Sequence, residues 1–357
     1  MPLRAAFLLL LLFGAKAARP AEDLDFYDVD LNELTYSAIP FAGYDDKTGW
    51  QFGGAGFLYK ETEPGINAGL FGVSNLNDFH SATLNYEQRT AGRWFYGFHG
   101  LAERAFDNYY GEGDLTAPDN PRRTSIYHVE FKPTILYKVF PHFRAGVFND
   151  YRSRVETGVE RIGSPVPGDP TRLFPDESSN AWGLKVEWDN RDRILNPRKG
   201  DYFQMSLLAC PEAWSTLPGA ETFVQLQVDL RRFRTIRRRL VLAQHFLGAL
   251  TQGEPGYLFR YRLGGLDALR GYKDNRFRGK TFFVLQEELR WYLNKYVSVN
   301  VSADFGDIAD DSFRQLKLTG QAGLRVGLPP GWGQKARVEL GYGYDQSTFQ
   351  IQFGEIF

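Results

Sequence analysis

FVQLQVDLRRF, residues 223–233, alternates apolar and polar side chains over most of its length. Successive side chains of a β-strand point to opposite faces, so such a stretch forms a strand with one apolar and one polar face. The apolar face carries Val224, Leu226, Val228 and Leu230. The same period of two recurs in WGLKVEWD at 182–189, YVSVNVSAD at 296–304 and ARVELGYGY at 336–344. The chain is therefore predicted to be all-β.

The alternating pattern extends from about residue 34 to the last residue. We identify sixteen candidate strands, at 34–42, 50–60, 66–74, 79–90, 93–105, 123–139, 143–155, 181–189, 200–208, 222–232, 239–250, 280–293, 296–304, 316–327, 334–343 and 348–357. Alternation alone would also fit a soluble sandwich with one buried face. The even strand number, the strand length and aromatic residues near strand ends, as in RWFYGFHG at 93–100, favour a sixteen-stranded antiparallel transmembrane β-barrel.

The connections between candidate strands alternate in length. Even-numbered connections are short, such as TAG at 90–92 and NK at 294–295, whereas odd-numbered ones include the long segments 156–180 and 264–279. Outer-membrane barrels combine short periplasmic turns with long external loops. This alternation therefore favours the barrel, with its amino terminus on the periplasmic side of the bacterial outer membrane.

The amino terminus reads as a targeting segment. MPLRAAFLLLLLFGAKAA combines a basic start at Arg4, an apolar run and an A-x-A pattern ending at Ala17. We predict a signal peptide at 1–18, a short periplasmic leader at 19–33 and the transmembrane β-barrel at 34–357. An amino-terminal anchor helix is the alternative, but the apolar run is short for it. Cys210 is the single cysteine, so the chain can form no internal disulfide.

No catalytic constellation is evident. The five histidines show no metal-ligand spacing, and neither a G-x-S-x-G motif nor a phosphate-binding glycine loop is found. We therefore expect no enzyme activity, no cofactor and no metal. RRFRTIRRR at 231–239 holds six arginines and could suggest nucleic-acid binding. We assign it instead to a periplasmic turn near anionic phospholipid, and expect outer-membrane lipids and no nucleic acid as partners.

One long basic segment, GGLDALRGYKDNRFRG at 264–279, follows the eleventh candidate strand. A loop of this length in a compact protein is usually functional or disordered. Its Leu269-Arg270-Gly271-Tyr272 resembles the signature of the BamA/TamA-type outer-membrane assembly superfamily, the bacterial surface antigen family. The resemblance extends from about residue 34 to residue 357.

Four further stretches look like segments of this family, in the family's order. WDNRDRILNPRKGDYF at 188–203 resembles its D-T-R-D turn motif through Asp189, Arg191, Asp192, Pro197 and Gly200, with Asn190 in place of the usual threonine. EELRWYL and SADFGDI are similar to its twelfth- and thirteenth-strand segments, and place Glu288 and Asp304 at the acidic positions. The carboxy-terminal FQIQFGEIF resembles the assembly signal of the family, through Phe349, Ile351, Phe353 and Phe357.

The resemblance implies that segment 264–279 folds back into the lumen as a latch, with Arg270 pairing with Glu288 and Asp304. Alternation agrees in part, because both carboxylates fall on the polar face of their strands. A guanidinium fork fits two carboxylate oxygens. A surface loop with a solvated arginine is the alternative. Glu287 falls on the predicted lipid face, and the pattern gives no reason for it.

The resemblance also implies a function. Family members that insert or transport proteins usually carry periplasmic POTRA domains, whereas fewer than about twenty residues of the predicted mature chain precede the first strand. We therefore expect a POTRA-less member that inserts or translocates protein or lipid at the outer membrane, working through the seam between its first and last strands. The alternative is a passive, porin-like barrel that forms a narrow pore or anchors a separate periplasmic partner. Expected partners are the barrel-assembly machinery during biogenesis, and a periplasmic POTRA-bearing protein or enzyme.

Overall fold

The computed structural model describes residues 33–45, 49–111, 122–161, 173–265, 267–294, 296–327, 335–344 and 346–353. The predicted signal peptide, the leader up to residue 32 and Phe357 lie outside these ranges. Within them, no helix has the length and apolarity needed to cross a membrane.

Strands make up nearly all of the described secondary structure. In chain order they are β1 Thr35–Asp45, β2 Gly49–Lys60, β3 Gly65–Ser74, β4 His80–Arg89, β5 Trp94–Tyr109, β6 Arg122–Phe140, β7 Phe143–Arg161, β8 Glu177–Asp189, β9 Gly200–Cys210, β10 Phe223–Arg237, β11 Leu240–Gln252, β12 Tyr261–Leu263, β13 Phe277–Gly279, β14 Thr281–Tyr292, β15 Val297–Ala309, β16 Lys317–Gly327, β17 Lys335–Tyr342 and β18 Ser347–Phe353. Two single-turn 3-10 helices lie at Glu212–Trp214 and Tyr257–Phe259.

Sixteen of the strands form one antiparallel sheet in sequential order, and β12 pairs with β13 in a separate hairpin. The predicted all-β fold with sixteen antiparallel strands is thereby confirmed. Among the described residues no backbone pairing joins β1 to β18, so the sheet begins and ends at these two strands.

Several strands are longer than predicted. β7 continues to Arg161 and β1 to Asp45, so part of the expected first loop, residues 42–49, is strand. β10 continues to Arg237, which corrects the assignment of 231–239 to a turn: only residues 238 and 239 connect β10 to β11. The strand continues into the arginine-rich stretch because Phe233 there is buried and pairs with Ala243 of β11.

Burial in the sheet is reversed relative to an ordinary soluble β-protein. One face exposes large apolar side chains, such as Val301 at 62% and Leu184 at 61% of their full surface. The other face buries charged and polar side chains, among them Glu288, Asp304 and Arg337. We refer to these as the apolar face and the polar face.

The sheet is strongly curled around the residues between β11 and β14, which we call the β11–β14 segment, residues 253–280. Within this segment Asn275 Nδ2 donates to Asp107 Oδ1 on β5 over 3.0 Å, and the Arg270 carbonyl accepts from Thr348 Oγ1 on β18 over 2.6 Å. These strands are eleven positions apart in the sheet order, about 50 Å in a flat sheet. Five residues of chain span at most about 18 Å. The two ends of the sheet must therefore bend toward each other.

Candidate functional site

The signature Leu269-Arg270-Gly271-Tyr272 lies in a compact turn of the β11–β14 segment. The Gly265 amide donates to the Tyr272 carbonyl over 2.9 Å, and the Gly264 amide donates to the Ala268 carbonyl over 3.1 Å. Gly264 and Gly265 have φ values of 100° and 102°, a region in which side chains are strained. The paired glycines thus allow the chain to reverse and present Arg270 to the sheet.

Apolar packing fixes the turn against β14 and β15. Leu269 and Tyr272 belong to a buried cluster with Phe277, Val284 and Ile308. The Tyr272 and Phe277 rings meet edge to face, with centroids 5.0 Å apart. Because these side chains come from both the segment and the sheet, their burial holds the segment on the polar face.

Arg270 is fully buried and binds Asp304 of β15 in a bidentate manner. Its Nε and Nη2 donate to the two carboxylate oxygens over 3.0 and 2.8 Å, and its own amide donates to Oδ2 over 3.1 Å. Nη1 lies 3.3 Å from Glu288 Oε2 on β14, and Nη2 donates to Ser302 Oγ over 3.0 Å. The structure therefore brings together Arg270, Glu288 and Asp304, the three charged residues of the predicted latch.

The cluster is larger than the sequence indicated. Glu339 of β17 lies 3.4 Å from Arg270 Nη1, and Glu288 also binds Arg290 and Arg325. The buried group, which we call the arginine cluster, comprises Arg270, Arg290, Arg325, Arg337, Glu288, Asp304 and Glu339. Four cations face three carboxylates. For Arg290, Arg325, Arg337 and Glu339, the only indication in the sequence was a position on the polar face of β14, β16 and β17.

The carboxylates keep Arg270 charged despite its burial. Removal from water alone would lower the pKa of Arg270, but Asp304, Glu288 and Glu339 together raise it above its usual value. A buried charge is tolerated only when it is paired and hydrogen-bonded. The arginine cluster meets this condition at Arg270 through direct contacts to all three carboxylates.

Gly271 lets the segment lie directly on the end of β17. A Cβ atom at position 271 would fall 2.5 Å from the Tyr342 oxygen and the Gly343 nitrogen. Both are backbone atoms, so a side chain here cannot be accommodated by a rotamer change. The residue type at 271 is thus set by close approach of two backbones.

We predict that Gly271→Ala lowers the free energy of unfolding by about 1–3 kcal/mol, the usual cost of forcing extra atoms into a packed site. The measurement is urea unfolding in detergent, followed by mobility on semi-native gels. Gly320→Ala on β16 is the matched control, because a Cβ there meets no atom within 4 Å. Equal stability of the two variants would contradict the close approach.

Arg276 and Arg278, which the sequence left without a role, are also buried in the β11–β14 segment. Arg278 Nη2 lies 3.1 Å from Asp107 Oδ2 on β5, and its guanidinium stacks on the Tyr257 ring at 3.7 Å. The Tyr257 hydroxyl donates to the same Asp107 oxygen over 2.5 Å. Asp107 is therefore a second anchor of the segment, on a strand eleven positions from β18 in the sheet order. No local pattern in the sequence marked it.

The turn motif between β8 and β9 is held by its own acidic side chains. Asp189 accepts from Arg191 Nε and Nη2 over 2.9 and 2.8 Å. Asp192 Oδ1 accepts from the amides of residues 198 and 199 over 3.0 and 3.1 Å. Gly200 has a φ of 103°, and Pro197 is buried. Asn190, the departure from the family pattern, uses its side-chain oxygen to accept from the Asp201 amide over 2.6 Å.

This turn crosses the sheet and contacts distant strands. The Leu195 amide donates to Glu61 Oε1, in the connection after β2, over 3.0 Å. The Tyr292 hydroxyl, at the end of β14, donates to Asn196 Oδ1 over 2.6 Å. The motif residues thus form a second element that spans the curled sheet, separate from the arginine cluster.

The carboxy-terminal signal residues lie at the end of the sheet. Phe349 and Ile351 are exposed on the apolar face of β18 at 65% and 57%. Phe353 is the last residue of that strand, and Phe357 lies outside the described residues. Their predicted role in assembly stays a prediction. In the described part of the chain, no group of three His, Cys, Asp or Glu side chains could hold a metal ion.

The curled sheet thus has sixteen strands, and a buried arginine follows the eleventh. Residues 169–330 match the Omp85 superfamily domain. The matched region contains Arg270, Glu288 and Asp304. This match covers slightly less than half of the chain and confirms the family resemblance that the motifs indicated. No curated protein matches the chain.

Solved structures of similar fold include BamA from Haemophilus ducreyi lacking POTRA domains 1–3, with a TM-score of 0.57 and 14% identity over 90% of this chain and 69% of that one. CdiB from Escherichia coli matches with a TM-score of 0.59 and 12% identity, over 89% and 61%. CdiB from Acinetobacter baumannii matches with a TM-score of 0.55 and 11% identity, over 88% and 59%. The chain thus spans about three fifths of each CdiB structure. At these identities the similarity establishes the fold.

Proposed function

We propose that the chain is an outer-membrane β-barrel that takes part in insertion or translocation of protein or lipid, working through a seam between β1 and β18. The proposal rests on the pairing of the first and last strands: in the described sheet, β1 pairs only with β2 and β18 pairs only with β17. Within the described residues, β17 and β18 are also the shortest strands of the sheet, at eight and seven residues.

Membrane placement is supported by the apolar face. Exposed apolar residues occur on strand after strand, and an apolar surface of this extent marks a membrane or partner contact. Barrels of the outer membrane combine an outward apolar band with a polar interior. On this proposal the polar face lines the lumen, and the β11–β14 segment is the lumenal latch.

Contacts to β17 and β18 support a position of the latch beside the proposed seam. The Arg270 carbonyl accepts from Thr348 Oγ1 of β18, and Gln350 Nε2 of the same strand lies 3.1 Å from the Gly265 carbonyl. Glu339 of β17 joins the cluster through Arg270. The latch therefore supports the last two strands from within, while leaving their outer edge accessible to a client.

We expect the purified chain in liposomes to accelerate insertion of an unfolded client barrel, and a disulfide across the seam to abolish the acceleration. Cysteines at residues 35, 37 and 39 of β1 are each combined with Gln350→Cys, in a Cys210→Ser background. Reduction should restore activity. Val73→Cys with Ser81→Cys is the matched control, because these residues are directly paired within the sheet.

Unchanged insertion by a fully cross-linked seam, or no acceleration by the wild type, would contradict the insertion function. The proposal is for a non-enzymatic protein, and phospholipid hydrolysis by the purified chain would also contradict it.

A passive barrel that forms a narrow pore, or anchors a periplasmic partner, is the second candidate. It is favoured by a cavity of about 680 Å³ on the polar face, lined by charged side chains that include Lys132, Arg144, Lys185 and Glu187. Planar-bilayer conductance tests the pore. Pull-down of the full chain from outer membranes in mild detergent tests for a POTRA-bearing or enzyme partner.

A further inference from the structure

A row of polar side chains interrupts the apolar face across four neighbouring strands. Asp201, Arg232, Gln244 and Glu287 are consecutive Cα partners on β9, β10, β11 and β14. We call them the polar row. They lie on the face opposite Glu288, because residues two positions apart share a face, and Leu230 and Leu289, two positions from Arg232 and Glu287, are exposed on the apolar face. This row accounts for Glu287, the carboxylate that fell on the predicted lipid face.

An apolar row runs directly beside the polar row. Phe203, Leu230, Phe246 and Leu285 are consecutive Cα partners on the same four strands, two residues away from the polar row. The apolar row is on the side away from the β10–β11 turn at residues 238–239. On the apolar face, the side chains of these four strands therefore change from apolar to polar between the apolar row and the polar row.

Three residues of the polar row are charged: Asp201 and Glu287 lie at its two ends, and Arg232 lies between them. Arg232 Nε lies 2.7 Å from Asp201 Oδ1, with side chains 48% and 38% exposed. Gln244 Nε2 donates to Glu287 Oε1 over 2.8 Å, so the carboxylate is paired with a neutral group. Arg232 and Glu287 are two strand spacings apart, about 10 Å. A charge on a membrane-facing surface is costly unless it is matched, so a cation at Glu287 would be favourable.

A groove beside the row is shaped for a hydrocarbon chain. A cavity of about 390 Å³ is lined by the apolar side chains of Trp188, Phe203, Leu230, Phe246 and Leu285. Its polar lining residues are Asp201, Tyr202, Arg231, Arg232, Gln244 and His245. Apolar lining combined with polar groups is typical of sites that hold an apolar ligand with a polar end. The groove and the polar row form a single amphipathic site.

We propose that this site binds a glycerophospholipid whose headgroup carries both a phosphate and a primary ammonium. The phosphate lies against Arg232, the ammonium donates hydrogen bonds to Glu287, and an acyl chain occupies the groove. Arg232 contacts Asp201 through Nε and stays 48% exposed, so its terminal nitrogens can donate to the phosphate while Glu287 accepts from the ammonium. The inference rests on the proposed membrane placement, but neither on the seam nor on any insertion activity.

The test is native mass spectrometry of the full chain in mild detergent, with defined phosphatidylethanolamine, phosphatidylcholine and phosphatidylglycerol. Phosphatidylethanolamine should bind about tenfold more tightly than the other two, the usual effect of one hydrogen bond to a charged group. Phosphatidylcholine has a quaternary ammonium that cannot donate, and phosphatidylglycerol has no cation. Equal retention of all three lipids would overturn the proposal whether or not the chain inserts clients.

Two variants separate the two ends of the headgroup. Glu287→Gln keeps the bond to Gln244 but should remove the preference for phosphatidylethanolamine without weakening phosphatidylglycerol binding. Arg232→Ala should weaken both lipids about tenfold. Arg234→Ala is the matched control, an exposed arginine one row nearer the turn. It should change binding no more than about twofold.

Folding of each variant is checked by its mobility on semi-native gels. An equal loss in Arg234→Ala and Arg232→Ala would indicate general attraction to a basic surface and would overturn the site. A Glu287→Gln protein that retains its lipid preference would overturn it as well.

Discussion

Arg270→Ala is expected to lower the free energy of unfolding by about 3–5 kcal/mol, the usual cost of removing one partner from a buried ion pair. The reason lies at Asp304, whose hydrogen bonds to side chains come from Arg270 alone among the described residues. Without the guanidinium, a fully buried carboxylate keeps one bond, from the backbone amide of residue 270. Urea unfolding in detergent, read as the folded fraction on semi-native gels, measures the loss.

Two further variants test the cause of that loss. Arg270→Ala combined with Asp304→Asn should be more stable than Arg270→Ala alone, because the unmatched charge is gone. Lys273→Ala is the control within the same segment, since Lys273 is exposed. Wild-type stability of Arg270→Ala, or no rescue by Asp304→Asn, would contradict the pairing.

Asp107→Ala should have an effect of similar size, about 3 kcal/mol, although residue 107 lies far from Arg270 in sequence. The substitution leaves the buried Arg278 without its carboxylate partner and removes the acceptor of the Tyr257 hydroxyl. Because Asp107 anchors the segment to β5, we also expect proteases to cleave the β11–β14 segment more rapidly. Limited proteolysis followed by mass spectrometry locates the cut.

Asp107→Asn is the informative partner variant. It can still accept from Tyr257 but has no charge for Arg278, so its stability should fall between wild type and Asp107→Ala. An unchanged proteolysis rate in Asp107→Ala would show that β5 does not hold the segment.

The sixteen strands could be predicted because their period of two persists over long strands with charged polar faces. The pattern failed locally at β10, where arginines at 232 and 234 occupy outward positions and hide the strand. There, backbone pairing to β11 and the burial of Phe233 outweigh the poor alternation. Strand ends shifted elsewhere for the same reason: pairing continues beyond the last apolar residue.

The site was predicted only where sequence motifs and alternation coincided. Glu288 and Asp304 met both conditions and Arg270 met the first, and the structure brings the three together. Glu339 and Asp107 had no such signal, because their contacts depend on how the sheet curls. Arg278 meets Asp107 across 171 residues of chain, a separation over which local patterns carry no information. Alternation showed that Glu287 is a charged residue on the predicted lipid face. The polar row to which it belongs follows only from the register of the neighbouring strands.

The long-range contacts of the β11–β14 segment have a consequence for the order of folding. Arg270 meets β18 across 78 residues, and Asn275 meets β5 across 168. Closing such distances carries an entropic cost that must be met before the contacts form, so non-local contacts form slowly. We expect the segment to be seated only after the final strand has joined the sheet. Until then its arginines stay hydrated, and their loss of water would report that synthesis and pairing of the whole chain are complete.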